Sequence, residues 1–303
     1  MLKTQVRKSF LDHFYHDIKD HVLVEQKCKL NLHILKLTNN QFDMTPLLRE
    51  LSNSILTFCL SNKEYQQFID EQRFGELNLA AQERFRDYQS NEGEFGELLL
   101  YCLLETHLGA PKLLTKMNLK TSHNDYVKGA DGIHLLELNE QEYQIVFGES
   151  KMYKTIRAGL QKAFESINSF LTHAKNNVEY EMQLIDTHFH QEIDDEGAYV
   201  ELKKIIFPTA REDEIQTDKA FGIFVGFDFE MDKDLKKKLS NREFNLEIRR
   251  IINETVKKEF PYIEKLIDKY ELYGYNFYIY CIPFSEMSTT RKAVIRKLKG
   301  ESK

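Results

Sequence analysis

The sequence has few of the residues that mark fibrous, disordered or disulfide-bonded proteins. Its 303 residues include only 13 glycines and 5 prolines, while 42% are hydrophobic and 30% are charged. This composition is typical of a folded, helix-rich soluble protein. The four cysteines are far apart and form no CxxC pair, which argues against a disulfide framework or a zinc knuckle. We therefore expect each cysteine to be a small buried side chain in a reducing compartment.

Long apolar runs and an excess of positive charge are also missing. No apolar run approaches the roughly 20 residues needed to cross a bilayer, and the segment MLKTQVRKSFLDHFYHD lacks the apolar core of a signal peptide. We therefore expect a cytoplasmic protein with no membrane partner. The net charge of −6 gives no overall positive field for nucleic acid, although a local basic surface would suffice to bind it.

The hydrophobic pattern predicts both strands and helices. Residues Cys28 to Ile34 alternate as in a half-buried strand, and strong strand signals return at 219–229 and 273–284. Helical spacing predicts helices over 45–68, 80–88, 95–107, 156–175 and 241–269, and a first helix that carries His13, His16 and His21. This order favours an α/β fold with a mixed central sheet flanked by helices. A boundary near residue 90 would separate an N-terminal α+β segment, 1–90, from residues 91–303.

Three other features of the sequence could mimic functional sites. The segment DTHFHQEIDDE, residues 186–196, has two histidines near several acids, and we interpret it as a solvated loop rather than a metal site. The aromatic segment 273–284 favours a buried strand over a surface that stacks bases. We expect His134 to serve packing rather than catalysis.

The segment YQIVFGESKMY, residues 143–153, brings two charges into an apolar strand. Glu149 and Lys151 are two positions apart, so both side chains leave the same face of a strand. A polar turn at 139–142 predicts a hairpin over 132–152 in which paired residue numbers sum to about 280. Asp131 would then lie opposite Glu149 or Ser150.

Asp131, Glu149 and Lys151 together fit metal-assisted hydrolysis of a phosphodiester. Two close carboxylates repel one another unless a divalent cation lies between them. Mg²⁺ takes one or two protein carboxylates and completes its shell with phosphate oxygens and water. The adjacent lysine could orient the attacking water or stabilise charge on the phosphate.

The spacing of an acid and a lysine is not specific by itself. It recurs at Asp17–Lys19, Glu25–Lys27, Glu201–Lys203, Asp234–Lys236 and Glu301–Lys303. The copy at 149–151 differs because an apolar strand precedes it and an acid is expected across the hairpin. The alternative interpretation is a surface hairpin whose end carries solvated charges.

These residues resemble the PD-(D/E)xK nuclease superfamily, whose restriction-endonuclease-like core is a helix, a strand with a metal-binding Asp, a strand with (D/E)-x-K, another helix and another strand. The resemblance implies that Asp131 and Glu149 bind the metal and that Lys151 is catalytic, although Ala130 replaces the usual proline. Many members carry a further acid on the first helix, for which Glu97 is the candidate.

Other site residues follow from the same resemblance. Glu94 is the alternative to Glu97, since the two lie one turn apart. Gln161 and Lys162, on the helix after the E-x-K strand, match positions that some members use as auxiliary residues. At the other end of the chain, the basic residues Arg291, Lys292, Arg296 and Lys297 could contact phosphates or could simply be solvated.

Longer stretches are similar to the HamA family. EFGELLLYCLLE, GADGIHLL, FGESKMY and LQKAFESINSF carry the similarity, which covers about residues 90 to 285. HamA proteins are the nuclease subunits of the Hachiman anti-phage system, and the AbpA defence nucleases are the near alternative. The resemblance implies a DNase that depends on Mg²⁺ (or Mn²⁺) and works with a HamB-like helicase/ATPase partner. Residues 1–90 would be a possible docking segment for that partner.

Two other functions stay open. The chain could be a catalytically idle binding subunit that docks on a partner helicase, or a nuclease directed at RNA. The three intact residues Asp131, Glu149 and Lys151 argue against the idle subunit, while nothing in the sequence separates RNA from DNA.

Overall fold

A seven-stranded sheet occupies the centre of the protein. The computed structural model describes residues 2–24, 27–85, 93–119, 129–172, 177–193, 195–208 and 215–301. In chain order, the strands in these residues are β1 (Phe14–Leu23), β2 (Cys28–Leu35), β3 (Leu37–Thr38), β4 (Gln41–Phe42), β5 (Lys112–Thr115), β6 (Gly132–Glu137), β7 (Glu142–Tyr153), β8 (Gln216–Asp228) and β9 (Asn276–Phe284).

The sheet is mixed, as predicted. Its strand order is β1-β2-β9-β8-β7-β6-β5, while β3 and β4 pair only with each other. The four adjacent strands β2, β9, β8 and β7 run parallel to one another. Strands β1, β6 and β5 are antiparallel to their neighbours. The predicted α/β class and the predicted strands at 219–229 and 273–284 are confirmed.

Helices cover both faces of this sheet. They are α1 (Met44–Cys59), α2 (Asn62–Asp70), α3 (Phe74–Phe85), α4 (Glu94–Leu103), α5 (Lys116–Leu119), α6 (Ile156–Thr172), α7 (Asn177–His188), α8 (Glu196–Ile206), α9 (Lys233–Lys238), α10 (Asn241–Lys257), α11 (Phe260–Lys269) and α12 (Met287–Leu298). A π-helical turn, Leu104–Leu108, extends α4. Within the described residues no helix is long and apolar enough to cross a membrane.

Two apolar cores explain why the central strands read as nearly continuous apolar runs. Helices α6, α10 and α11 pack on one face of the sheet, and α1, α3, α4 and α12 pack on the other. Residues 220–227 of β8 are all buried because both of its faces are covered. The aromatic strand β9 is also buried, with Tyr280 fully enclosed, so its interpretation as a packed strand is confirmed. All four cysteines are free and buried, also as predicted.

The first predicted helix is wrong. His16 and His21 lie on β1, and His13 ends a short 3-10 turn. Two irregularities in the pairing of β1 with β2 disturb the alternation of two on which recognition of a strand depends. The prediction that β2 is half-buried is also wrong, because its polar residues Asn31 and His33 are buried.

Two long predicted helices are each divided into two. The helix predicted over 45–68 breaks at Leu60, and Ser61 and Glu64 form a capping box that starts α2. The helix predicted over 241–269 ends at Lys257, and α11 begins with Pro261 in its first turn. In both places the helical spacing of apolar residues continues across the break, so the periodicity of the sequence does not reveal the end of the first helix. The polar helix predicted over 80–88 is α3, which begins earlier, at Phe74.

The segment 186–196 is not a solvated loop. Its described residues comprise the end of α7, a 3-10 turn and the start of α8, and Phe189, Glu192 and Ile193 are buried. Glu192 is enclosed because it forms an ion pair with Lys112, at 3.4 Å between Oε1 and Nζ. The two residues are 80 positions apart, so no local pattern could reveal the pairing.

The N-terminal segment is tied to the rest of the chain through Lys112. Strands β1 and β2 belong to the same sheet as β7, and the Lys112 ammonium donates to the carbonyls of Thr57 (2.7 Å) and Leu60 (2.8 Å) at the end of α1. The partial negative charge at the C-terminal end of the α1 dipole also stabilises a cation at this position. The division of the chain near residue 90 stays a prediction, and that boundary itself lies outside the described residues.

The Lys112–Glu192 pair gives a stability prediction. Lys112→Met should lower the free energy of unfolding by roughly 3–5 kcal/mol, since it leaves a buried carboxylate and two carbonyls without their cation. Lys203→Met, which breaks an exposed pair with Asp186, is the matched control and should change stability by about 0–1 kcal/mol. Urea unfolding of both variants measures the difference, and equal losses would contradict the role given to Lys112.

Candidate active site

The β6–β7 hairpin has the predicted register. Ile133 pairs with Phe147 and Leu135 pairs with Ile145, so the paired numbers sum to 280. The turn at 138–141 is closed by the Leu138 amide, which donates to the Glu142 carbonyl at 2.8 Å. Asp131, directly before β6, therefore lies opposite Glu149.

Backbone and side-chain contacts fix the Asp131 carboxylate. The Asp131 amide donates to the Gly148 carbonyl at 2.9 Å, and the Ser150 amide donates to Asp131 Oδ2 at 2.7 Å. Lys116 Nζ lies 2.5 Å from the other oxygen, Oδ1. Each carboxylate oxygen thus has its own donor, and the side chain is held at the point where β6 and β7 meet.

Glu149 and Lys151 leave the same face of β7, as predicted. Their side chains form an ion pair, and they are 15% and 24% exposed. Residues 143–148 of β7 are buried, whereas its end from Glu149 onward is only half-buried. The apolar half of the strand therefore anchors the charged half at the edge of the core.

Burial and neighbouring charges shift the pKa values of this pair. Burial, followed by the Asp131 carboxylate, raises the pKa of Glu149, although Lys151 and Lys116 oppose the shift. Burial disfavours the Lys151 ammonium, but the Glu149 carboxylate and its hydrogen bond outweigh that effect and raise the pKa of Lys151. Lys151 is therefore a cation at neutral pH in this arrangement.

Lys116 is a member of the cluster that sequence reasoning missed. It follows β5, in which Thr115 pairs with Gly132, so one further step along this register brings Lys116 beside Asp131. Burial lowers the pKa of Lys116, but the carboxylates of Asp131, Glu97 and Glu149 raise it overall. The signal was the β5–β6 pairing, which cannot be recognised from a strand of four residues.

Helix α4 brings Glu97 to the cluster through a close approach at Gly96. A Cβ atom on Gly96 would lie 2.3 Å from Ser150 Oγ and 3.3 Å from Met152 Cγ, so only glycine permits this contact with β7. Glu97 is half-buried in the first turn of α4, and its charge acts on Lys116. Glu94, the alternative acid, is almost fully buried at 1% exposure.

The cluster lines one end of a cavity of about 400 Å³. Lys116, Asp131, Glu149 and Lys151 give this end its charge, and Ser166, Ile167, Ser169 and Phe170 of α6 form part of the wall. Phe147 and Phe221 also line the cavity, from the floor of the sheet. A charged end next to an aromatic wall is a common arrangement of a ligand site.

The two auxiliary candidates on α6 do not line this cavity. Gln161 Nε2 donates to Glu165 Oε1 at 2.8 Å, and Lys162 Nζ pairs with Glu165 Oε2 at 2.7 Å. The cavity lies instead at the positions one turn further along α6. The residues of α6 that line the cavity are instead Ser166, Ile167, Ser169 and Phe170.

Glu181 on α7 is a second residue near the site, after Lys116, that the sequence did not indicate. It is 3% exposed, and its Oε1 accepts from the Ala130 amide at 3.1 Å. Gly129 has φ +144°, and a Cβ atom there would lie 1.5 Å from Glu181 Oε1. Burial raises the pKa of Glu181 to about 7, although the Ala130 hydrogen bond and Lys116 oppose the shift.

The basic C-terminal helix is α12. Lys292, Arg296 and Lys297 are exposed, whereas Arg291 is buried with 8% of its surface accessible. Three of the four candidate phosphate contacts therefore reach solvent. His134 is fully buried, and its Nδ1 forms a hydrogen bond of 2.8 Å with the Ala110 carbonyl, which confirms that it serves packing.

The donor set around Asp131 and Glu149 can be tested against a divalent cation. Among the described side chains, no group of three or more His, Cys, Asp and Glu residues is arranged to hold a metal ion alone. Mg²⁺ needs fewer, because one or two carboxylates suffice when phosphate and water complete its shell. Asp131 and Glu149 supply two carboxylates, and their mutual repulsion favours a cation between them.

Comparison with known proteins identifies the family. A family model described as HamA matches residues 8–298, which is nearly the whole chain. No curated protein matches it. The match includes Asp131, Glu149 and Lys151 as well as the N-terminal strands.

The close approach of α4 to β7 gives a second prediction. Gly96→Ala should lower the free energy of unfolding by about 1–3 kcal/mol, because the added methyl group overlaps Ser150 and Met152. Gly75→Ala on α3 is the matched control, since nothing lies within 4 Å of its Cβ position. That control should be neutral or stabilising by about 0.5–1 kcal/mol in urea unfolding. Equal effects of the two substitutions would contradict the contact.

Glu181 gives a prediction about pH. Its folded pKa of about 7 exceeds the ordinary value of 4.5, so the folded protein holds a proton that the unfolded chain releases between these values. Folding stability from this group is therefore present below about pH 4.5 and lost as the pH rises through 7, by up to roughly 3 kcal/mol. Glu181→Gln keeps an acceptor for Ala130 but cannot ionise.

The variant should accordingly gain stability relative to the unsubstituted protein at about pH 8.5 but not at about pH 5, as measured by urea unfolding. Glu179→Gln, an exposed acid on the same helix, is the control and should show no such dependence. A Glu181→Gln effect of equal size at both pH values would contradict the buried, ionisable role.

Proposed function

The chain belongs to the HamA family, whose members are components of the Hachiman defence system, and we propose that this chain is the nuclease subunit of that system. In this proposal it hydrolyses phosphodiester bonds of DNA, depends on Mg²⁺ or Mn²⁺, and works with a HamB-like helicase/ATPase partner. The partner and the antiviral role come from the family, whereas the chemistry is argued from the site.

One observation carries the chemical part of the proposal. Asp131, directly before β6, lies opposite Glu149 on β7, and Lys151 is paired with Glu149 at the charged end of a cavity. This is the set of groups that the PD-(D/E)xK resemblance implies. The helix α4, the strands β6, β7 and β8 and the helix α6 also follow the order expected for that core.

Asp131 and Glu149 are the residues that would hold the metal. Both offer carboxylate oxygens, the ligands that Mg²⁺ prefers. When bound, the cation supplies positive charge that neutralises the phosphate oxygens and polarises the bond to be broken. The protein's contribution is to keep both carboxylates at fixed positions on a buried hairpin, which avoids reorganisation during the reaction.

Lys151 acts as a cation beside the scissile phosphate. Its ammonium is ion-paired with Glu149, which places a hydrogen-bond donor beside the carboxylate proposed to hold the metal. It can therefore orient the attacking water and stabilise negative charge that develops on the phosphate. Glu97 on α4 adds a third carboxylate near the cluster, where its charge acts on Lys116, and Glu94 is the alternative acid one turn away.

Nucleic acid and the partner would use other surfaces. Lys292, Arg296 and Lys297 on α12 expose positive charge that suits phosphate contacts, and each such contact makes binding more sensitive to salt. The N-terminal segment, residues 1–90, is the proposed docking region for the helicase. Gln161 and Lys162 remain auxiliary candidates, at a distance from the charged end.

The proposal is tested with purified variants of the three central residues. Asp131→Asn, Glu149→Gln and Lys151→Ala should each reduce DNA cleavage by at least about 100-fold, because each removes a group that stabilises charge in the transition state. Cleavage is measured with Mg²⁺ or Mn²⁺, with the partner helicase and ATP present. Circular dichroism and thermal unfolding establish that each variant is folded.

The control variant combines Glu201→Gln with Lys203→Ala, which have the same acid and lysine spacing at exposed positions of α8, and it should cleave like the unsubstituted protein. Undiminished cleavage by Asp131→Asn or Lys151→Ala would refute the assignment. Complete inactivity of the unsubstituted protein would favour the idle docking subunit, and cleavage of RNA alone would favour the RNA-directed enzyme.

A further inference from the structure

Lys116 occupies a specific place in the charged cluster. Its Nζ lies 2.5 Å from Asp131 Oδ1, and the charges of Glu97 and Glu149 act on it as well. The same three acids are those proposed to act on or near the metal. Lys116, the first residue of α5 and directly after β5, thus lies where the negative charges of these three acids converge.

We propose that Lys116 is an internal cation that competes with the divalent metal for the Asp131 carboxylate and so sets the metal concentration at which the site is filled. This inference rests on the proposed function, since it takes Asp131 and Glu149 as the metal ligands. It adds a residue that limits activity rather than one that performs the chemistry.

The hydrogen bonds of Asp131 show why the two cations compete. Oδ2 accepts from the Ser150 amide, a backbone group that the hairpin keeps in place. Oδ1 is the oxygen that Lys116 holds, and it is the one left for a metal. An ammonium and a divalent cation repel one another at such short range, so a metal at Oδ1 requires Lys116 to withdraw.

Lys116 is able to withdraw without disturbing the hairpin. It directly follows β5, at the edge of the sheet, whereas Asp131 directly precedes β6 and Glu149 lies on β7. Its side chain is 22% exposed and has four flexible carbons, so solvent is within its reach. Lys151 differs, because it stands on β7 itself and pairs with Glu149.

Direct metal binding tests the proposal without relying on catalysis. Mn²⁺ is titrated into the full-length protein without DNA, and the free ion is followed by electron paramagnetic resonance. Lys116→Met and Lys116→Gln remove the competing charge, so both should bind Mn²⁺ at least about tenfold more tightly, or by about 1.4 kcal/mol. Lys116→Arg keeps the charge and should bind no more tightly than the unsubstituted protein.

Lys154→Met is the matched control, since it removes an exposed lysine just beyond β7 and should leave Mn²⁺ affinity within about twofold. Thermal unfolding excludes any variant that fails to fold, and the Met and Gln substitutions give two independent chances to obtain a folded one. Unchanged or weaker binding by a folded Lys116→Met or Lys116→Gln variant would overturn the proposal.

Two further variants separate this inference from the proposed metal site itself. If Asp131→Asn and Glu149→Gln bind Mn²⁺ as well as the unsubstituted protein does, these carboxylates are not the ligands and both proposals fail. If those variants lose binding while neutral residues at 116 do not tighten it, the metal site stands and only the role of Lys116 is refuted.

Discussion

The register of the β6–β7 hairpin is the constraint on which the candidate site depends. A shift of one residue would turn Glu149 and Lys151 toward the opposite face and separate them from Asp131. The buried pairs Ile133–Phe147 and Leu135–Ile145 prevent that shift, because it would move apolar side chains out of the core. The reactive charges thus owe their position to apolar neighbours that take no part in the chemistry.

Charge balance is the second constraint. The desolvated acids Asp131 and Glu149 each have a lysine partner, Lys116 and Lys151, so neither carboxylate is left uncompensated in the half-buried cavity. The two lysines are not equivalent. Lys151 lies on the same strand as its partner Glu149, whereas Lys116 reaches Asp131 from the edge of the sheet. In our proposal, Lys116 therefore withdraws when a metal cation binds, while Lys151 stays in place.

Local pattern was enough to predict the hairpin, its register and the proximity of Asp131, Glu149 and Lys151, because these depend on alternation and on one turn. It failed where the contact joins distant segments. Lys116 reaches Asp131 through a short edge strand, and Glu181 reaches Ala130 from a helix about 50 residues later. It also failed on β1, where bulges break the alternation and a strand resembles a helix.

The N-terminal segment and the charged cluster are mechanically connected through β5. The carbonyl of Phe58, at the end of α1, accepts from Thr115 Oγ1 at 2.8 Å, and the carbonyls of Thr57 and Leu60 accept from Lys112. Lys116 is the next residue after Thr115. Since α1 holds both ends of β5, a displacement of α1 would move the attachment point of Lys116 relative to Asp131, which the separate hairpin holds. The position of the Lys116 charge in the cluster therefore depends on the position of α1.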